Sequence, residues 1–326
     1  MSRPFAPRLR VSSYLSDWMP TNDSRVSVAG YIGGGSSDNS DALSRIDKIA
    51  FPAETKTTLS ATLTTGRRDA AAMSNSGVAG YFGGGNDGTS QDNIDKIAFP
   101  ADTKTTLSAT LTTDNYIFAG MANYGVAGYF GGGFDLGLGA AISRIDKITF
   151  PADTKTTLSA TLTAGRYFVS AMANSGVAGY FAGGLGPGDS FEDNIDKISF
   201  PADTKTTLAA VLTEDRYRQA GMADSGVAGY IGGGNNAAAG YVSGIDKIAF
   251  PADTKTTLSA TLSTGRRFLS AFADSAVAGY FAGGATPTIV NTIDRVAFPA
   301  DTITTLAATL TTVTVSPTAM SNEGSF

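Results

Sequence analysis

The sequence contains no cysteine and no histidine, and these absences exclude several classes of function. Without cysteine the chain has no disulfide framework and no thiolate zinc site. Without histidine it has no imidazole for general base catalysis, for a catalytic triad or for most transition-metal sites. The usual residues of nucleophilic and metal-dependent enzymes are therefore missing. The sequence therefore predicts no metal site and no cofactor, and it favours a protein that is not an enzyme.

Charge and hydropathy exclude further classes of function. The formal net charge is −5 over 326 residues, which gives no basic surface of the kind that binds nucleic acid. No apolar run approaches the roughly 20 residues of a membrane-spanning helix, and the N terminus carries no apolar segment of signal-peptide length. We therefore expect a soluble protein with no nucleic-acid partner and no membrane insertion.

Glycine is abundant, at 39 residues, and much of it belongs to an internal repeat. The tetrapeptide VAGY recurs every 48 to 51 residues, and each copy is followed by ID[KR][IV] and by FPA[DE]T. The six copies of VAGY end at Tyr31, Tyr81, Tyr129, Tyr180, Tyr230 and Tyr280. A period of this length indicates an array of one supersecondary unit.

One unit, taken from the second copy, predicts four short strands separated by turn signals. They are DAAAM, VAGYFGG, IDKIAF and TTLSATL. The turn SNSG follows the first strand, and Pro100 ends the third strand because it cannot donate to a β-ladder. Six four-stranded units favour a β-propeller over a solenoid, whose coils are usually shorter.

The unit also resembles the kelch repeat. Gly83 and Gly84 are the paired glycines that end a hydrophobic strand, and Phe99 is the aromatic residue that ends the next. Leu107 stands where kelch repeats usually carry tryptophan, and the other copies have Leu59, Leu158, Leu208, Leu258 and Leu306 there. The resemblance covers residues 26–326. It implies an all-β protein, a six-bladed kelch-like β-propeller with four-stranded blades.

The two ends of the repeat region complement each other. The segment AMSNEG at residues 319–324 repeats AMSNSG at residues 72–77, so it is a first strand without a blade of its own. The N-terminal copy begins at its second strand, VSVAGYIGGG. We expect residues 313–324 to pair beside residues 26–35, to complete the first blade and to close the ring, which removes an open sheet edge. Residues 1–25 are then an arm outside the propeller.

The connections between predicted strands divide into two groups. SNSG and PADTKT hardly change between copies, whereas the connections after the second strand differ in every copy, as in NDGTSQDN and LGPGDSFEDN. By strand direction the variable connections share one face. Two interpretations stay open: the loops have drifted, or this face binds a partner, because recognition often lies in loops on a rigid scaffold.

Arginine and tyrosine recur beside the variable connections, at positions expected to surround the channel mouth. They are Arg67, Arg68, Tyr116, Arg166, Tyr167, Arg216, Tyr217, Arg266 and Arg267, and the loops add Asp87, Phe134, Phe191 and Tyr241. Together these side chains can bind carboxylates or sugars through hydrogen bonds and stacking. A purely structural role for the arginines is the alternative that the kelch resemblance implies. The acidic loop residues Asp87, Asp92, Asp189, Glu192 and Asp193 lack the ordered spacing of a calcium loop.

Three classes of function remain. The first is a structural and binding module, such as a surface or tail component of a bacteriophage or other virion, that presents the propeller for attachment to a glycan or cell-surface receptor. Its arm, with Arg3, Arg8, Arg10 and Trp18, would join it to protein partners in a larger assembly. The second is an intracellular, soluble cytoplasmic kelch-type module for protein–protein interaction. The third is a carbohydrate-active propeller enzyme, although no convincing carboxylate pair is present and kelch-like galactose oxidase needs copper held by histidine.

Overall fold

The computed structural model describes residues 29–37, 41–238 and 240–322. In these ranges the chain forms eight antiparallel sheets, six of which have four strands. A single short 3-10 turn, Pro187–Asp189, interrupts them, and no helix in the described ranges is long and apolar enough to cross a membrane. The arm predicted for residues 1–25, with Arg3, Arg8, Arg10 and Trp18, lies outside the described residues.

The six four-stranded sheets, numbered 1 to 6 along the chain by their second strands, share one strand order. The first strands of sheets 1 to 6 are Thr318–Asn322, Ala71–Asn75, Ala119–Asn123, Ser170–Asn174, Ala220–Asp224 and Ser270–Asp274. The second strands are Ala29–Gly33, Ala79–Gly83, Ala127–Gly131, Ala178–Leu185, Ala228–Gly232 and Ala278–Ala282. Every residue of these second strands is buried, as expected where sheets pack on both faces.

The outer half of each sheet is more exposed. The third strands are Ile46–Ala50, Ile94–Ala98, Ile145–Thr149, Phe191–Ser199, Ile245–Ala249 and Ile293–Ala297. The fourth strands are Thr55–Thr58, Thr103–Thr106, Thr154–Thr157, Thr204–Thr207, Thr254–Thr257 and Thr302–Thr305. Short hairpins extend two variable connections. Asn115–Tyr116, Phe134–Asp135 and Ala140–Ala141 form one sheet, and Asn235–Asn236 pairs with Gly240–Tyr241.

The fourth strand lies closer to the preceding turn than the sequence predicted. In sheet 2 it covers residues 103–106, with Lys104 opposite Ile97, whereas TTLSATL spans residues 105–111. After the strand, Leu107 and Leu111 donate their backbone N–H groups to the carbonyls of Ile94 and Asp92, at 2.9 and 2.8 Å. The leucines point towards the apolar core while their backbone still bonds to the neighbouring chain. The turn PADT is short enough for pairing to resume directly after it.

The C-terminal strand occupies the place that the sequence predicted. Thr318–Asn322 pairs antiparallel with Ala29–Gly33, and Met320 lies opposite Tyr31. Chain segments from the two ends of the repeat region therefore form one sheet. The pairing covers the edge of residues 29–33 that would otherwise present free N–H and C=O groups.

Each sheet contacts the next through the tyrosine of VAGY. Tyr129 of sheet 3 stacks on Phe200 of sheet 4 at 5.0 Å between ring centroids, and its hydroxyl donates to Asp203 at 2.8 Å. Lys147 binds the second oxygen of Asp203 at 2.6 Å. Burial, and then the hydrogen bond to Asp203, raise the pKa of Tyr129, which keeps its hydroxyl protonated as a donor. The Tyr–Phe and Tyr–Asp contacts recur at the other sheet pairs formed by Tyr31, Tyr81, Tyr180 and Tyr230.

The same arrangement joins sheet 6 to sheet 1, with two changed residues. The ring of Tyr280 stacks on that of Phe51, with 5.1 Å between the centroids, and its hydroxyl donates to the Glu54 carboxylate at 2.9 Å. Arg295 Nε lies 2.8 Å from the same carboxylate. Glu54 replaces the aspartate of the other copies, and Arg295 replaces the lysine. The two departures from the repeat therefore meet each other in space.

A second recurrent contact places a long side chain on the glycine of VAGY. The Met73 sulfur lies 2.0 Å from the position that a β-carbon on Gly128 would take, and Phe272 lies as closely against Gly30. Only glycine leaves room for this packing between first and second strands of neighbouring sheets. First strands also touch one another in the order of the sheets, and sheet 6 touches sheet 1. The arrangement is compatible with a β-propeller.

Two substitutions compare the contact between sheets 6 and 1 with the equivalent contact between sheets 3 and 4. Glu54→Ala removes the acceptor of Tyr280 and Arg295, and Asp203→Ala removes that of Tyr129 and Lys147. We expect each variant to lose about 1–2 kcal/mol of unfolding free energy, because a half-buried charged acceptor is lost. Urea titrations measure both values. A loss for Asp203→Ala with none for Glu54→Ala would show that the sheet 6–sheet 1 contact does not contribute.

Candidate binding site

Four of the arginines predicted to surround the channel mouth lie inside the protein instead. Arg67, Arg166, Arg216 and Arg266 are at most 1% exposed. Each follows the fourth strand of one sheet and binds an aspartate in the third strand of the next sheet. Arg166 contacts Asp196 at 2.7 Å and also donates to the backbone carbonyls of Asn194 and Phe181. The equivalent partners of the other three are Asp95, Asp246 and Asp294.

In the Arg166–Asp196 pair, burial and charge shift the pKa values of both groups. Burial lowers the pKa of Arg166, but an arginine stays charged because its usual pKa is above 12. Burial alone would raise the pKa of Asp196, yet the charge of Arg166 and hydrogen bonds from Thr163 lower it below its usual value. The guanidinium groups are inaccessible to a ligand. We therefore leave these four arginines out of the candidate site and assign them the structural role that the kelch resemblance allowed.

The two copies without this arginine carry another one nearby. Asn115 and Thr314 stand at the position of the buried arginine, just before the first strands of sheets 3 and 1. In the same two copies, Arg144 and Arg45 stand two residues before the aspartate, where the others have asparagine, glycine or threonine. Arg45 lies 3.5 Å from Asp47, so this carboxylate keeps a cation from a different point of the chain.

Two residues beyond each arginine position, the backbone forms a circle of hydrogen bonds. Each N–H donates to the carbonyl of the equivalent residue in the preceding copy, and the first copy donates to the last. The six donor–acceptor distances lie between 2.8 and 3.3 Å. The members are Asp69, Ile117, Phe168, Arg218, Phe268 and Ser316, which we call the central circle. They line one end of a cavity of about 130 Å³, whose walls also include residues of the six first strands.

Residues of the central circle adopt a conformation that L-amino acids rarely use. Their φ angles lie between 53° and 62°, in the left-handed region. For Ile117, Phe168 and Phe268 this conformation is unfavourable, because a β-branched or bulky side chain crowds the backbone there. Strained backbone of this kind is concentrated at functional sites. These residues were not predicted from the sequence, although the presence of five different residue types at one fixed position of a regular repeat is a signal that could have identified them.

Arg218 of the central circle is held between aromatic rings. The centre of its guanidinium lies 4.4 Å from the ring centroid of Phe168, 4.0 Å from that of Phe268 and 4.7 Å from that of Tyr217. Contacts of this length are cation–π interactions. The two phenylalanine rings also contact each other edge to face at 5.7 Å. Stacking thus fixes the guanidinium at the channel mouth.

Further aromatic side chains extend this cluster over the predicted variable face. Tyr116 contacts Phe134, Phe134 contacts Tyr167, and Tyr167 contacts Phe168, at centroid distances of 6.0, 5.4 and 5.1 Å. Phe191 packs on Tyr217 at 5.1 Å, and Arg267 lies 5.2 Å from the ring of Tyr241. The aromatic–arginine patch comprises Tyr116, Phe134, Tyr167, Phe168, Phe191, Tyr217, Arg218, Tyr241, Arg267 and Phe268. Seven of these residues were predicted from the sequence, and all ten are half-buried.

The remaining predicted residues lie towards sheets 1 and 2 or take part in loop contacts. Arg68 is 3.9 Å from Asp69, and burial raises the pKa of Asp69. Asp87 is exposed and accepts hydrogen bonds from Thr89, which lower its pKa. The hydroxyl of Tyr167 donates to Asp189, and burial followed by this hydrogen bond raises the pKa of Tyr167 to about 12.

The acidic loop residues do not assemble into a metal site. In the described ranges, no three side chains among aspartate and glutamate come together as a possible set of metal ligands. Glu192, for example, accepts hydrogen bonds from Ser190 and Asn194. No protein-family model matches the chain, and no similar protein is found among curated sequences.

Proposed function

We propose that the protein is a six-bladed, kelch-like β-propeller that acts as a non-enzymatic structural and binding module. Six repeated sheets, the pairing of Thr318–Asn322 with Ala29–Gly33 and the Glu54 contacts between sheets 6 and 1 support a closed ring. The lack of cysteine and histidine in the sequence supports a binding role over catalysis. Each sheet serves as a rigid base for the variable loops.

The proposed ligand is a glycan, and the aromatic–arginine patch is its site. The observation that supports this proposal most strongly is the continuous set of ring contacts from Tyr116 through Tyr167 to Phe268, which ends on Arg218. Sugar rings present C–H groups that pack on aromatic faces, while their hydroxyls need fixed polar groups for orientation. The half-buried tyrosines provide both an apolar face and a hydroxyl. Rigid aromatic groups also lose little conformational entropy on binding.

A glycan array tests this proposal with the whole chain. The double variant Tyr167→Ala/Tyr217→Ala should lose about 5- to 150-fold in affinity, since two stacking faces worth about 0.5–1.5 kcal/mol each are removed. The control Val227→Ala/Val277→Ala changes two valines of the SNSG-type turns, 47% and 44% exposed on the opposite face. Equal binding by the tyrosine variant and the parent, with unchanged far-UV circular dichroism, would contradict the proposal.

The wider setting of the module stays a prediction. In a virion surface or tail, many copies acting together would raise a weak single-site affinity by avidity. Mass spectrometry of purified particles would detect the protein there. Recovery with a soluble cytoplasmic partner instead would favour the kelch-type protein-interaction module.

A further inference from the structure

Two arginines of the aromatic–arginine patch form no close ion pair with any described residue. Neither Arg218 nor Arg267 has a carboxylate within 4.0 Å in the described ranges, and the ring of Phe268 contacts both guanidinium groups. The Nε atom of each is buried and has no hydrogen-bond partner in the described part of the chain. Arg267 lies near enough to lower the pKa of Arg218 by charge repulsion, after burial, which is the larger cause. Two neighbouring half-buried cations repel each other, and an anion between them would relieve that repulsion.

Other arginines of the repeat lie beside an acidic residue. Arg68 occupies the position of Arg267 in its own copy, and the next residue there is Asp69, 3.9 Å away. In the copy of Arg267 the next residue is Phe268, whose ring lies 5.5 Å from the Arg267 guanidinium. The buried arginines such as Arg166 likewise contact a carboxylate directly. Arg267 therefore differs from Arg68 in having an aromatic ring instead of an acid beside it, and Arg218 likewise lies between aromatic rings.

Building on the proposed glycan-binding function, we propose that Arg218 and Arg267 form a carboxylate subsite, so that the patch selects sugars that carry an acidic group. The guanidinium fork donates two parallel hydrogen bonds to a carboxylate. Stacking against Phe168 and Phe268 holds the Arg218 fork in place before the ligand arrives. Asp69, across the central circle, accepts a hydrogen bond from Ser316 and lies 3.9 Å from Arg68; its charge also acts on Arg218, but the two groups form no ion pair within 4.0 Å, so the donors of the Arg218 fork are not taken by Asp69. The neutral part of the sugar would lie on the tyrosines.

A matched pair of ligands isolates the carboxylate. D-glucuronate and D-glucose differ only in the group at one carbon, and so do D-galacturonate and D-galactose. We expect the parent protein to bind each acidic member at least about tenfold more tightly, as charge-assisted hydrogen bonds allow. Saturation-transfer NMR and calorimetry on the full chain measure the affinities. The preference should shrink as sodium chloride is raised, because salt screens charges.

Variants then assign the preference to the two arginines. Arg218→Gln and Arg267→Gln should each bring the acidic sugar to within about twofold of the neutral one, while Arg218→Lys keeps the charge but loses the fork and should recover only part of the preference. Lys56→Gln, on the fourth strand of sheet 1, makes the same charge change away from the patch and should have no effect. Melting curves establish that each variant is folded.

The outcomes separate this inference from the proposed function. Binding of neutral and acidic sugars with equal affinity would overturn the carboxylate subsite and leave glycan binding in place. Equal loss in Arg218→Gln and Lys56→Gln would overturn it too, since a general charge effect would then explain the preference. Equal affinity for a sulfated sugar would count against carboxylate selectivity. Failure to bind any sugar would overturn the proposed function itself, and the subsite with it.

Discussion

Deletion of residues 312–326 is expected to abolish the folded monomer. The deletion removes the strand Thr318–Asn322 and exposes the edge of Ala29–Gly33. It also removes Met320, which is 4% exposed and packs against Gly80 of sheet 2. Loss of one buried methionine costs about 2–5 kcal/mol, a large share of the 5–15 kcal/mol by which a domain is usually stable. An unpaired edge of apolar strand promotes association as well.

The matched control is deletion of residues 323–326 alone, which leaves every described contact of the C-terminal strand in place. Size-exclusion chromatography with light scattering and a thermal melt compare the two deletions. We expect aggregation or loss of the cooperative transition only in the longer one. A soluble monomer with the parent melting temperature after deletion of residues 312–326 would refute the structural role of this strand.

Substitution of a buried arginine is expected to have the second largest effect. Arg166→Met leaves Asp196 buried without its cation, and breaking a buried ion pair in this way costs about 3–5 kcal/mol. Lys205→Met is the matched control, since Lys205 contacts the other oxygen of the same carboxylate at 3.3 Å but is 23% exposed. Its loss should stay within about 1 kcal/mol, as for a pair open to solvent. Denaturant unfolding gives both values, and equal losses would contradict the assignment.

The buried arginine–aspartate pairs also predict how the stability of the parent protein depends on pH. Asp95, Asp196 and Asp294 have folded-state pKa values below their usual value, so the unfolded chain binds more protons near that value. Their contribution is complete above the unfolded pKa of about 4 and is lost as the pH falls through the lower folded pKa. We expect the melting temperature to fall steeply below about pH 4. In Arg166→Met the low-pH decline should be smaller, because less stabilisation of the Asp196 carboxylate remains to be lost.

The repeat allowed much of the local structure to be predicted from the sequence. Turn signals and the repeated motifs placed the second and third strands of sheet 2 within a residue or two of Ala79–Gly83 and Ile94–Ala98. The fourth strand was misplaced, because threonine-rich and leucine-rich segments both favour strands and the pattern does not show where pairing stops. Of the candidate site, the tyrosines and Arg267 were identified by their position beside variable loops. Arg218 and the phenylalanines of the central circle were missed.

The sequence by itself determined the repeated four-stranded unit and the partner of the C-terminal strand. Both follow from comparing the copies of the repeat. AMSNEG nearly repeats the first-strand segment AMSNSG, and the three strands that normally follow a first strand are found instead at the N-terminal end of the repeat region. Only the tertiary structure decided which arginines are buried and which meet aromatic rings. Arg166 and Arg267 look alike in sequence, but one points into a sheet towards Asp196 and the other lies over Tyr241. Adjacent residues of an extended chain point in opposite directions, and which direction meets a carboxylate depends on sheets brought together from distant parts of the chain.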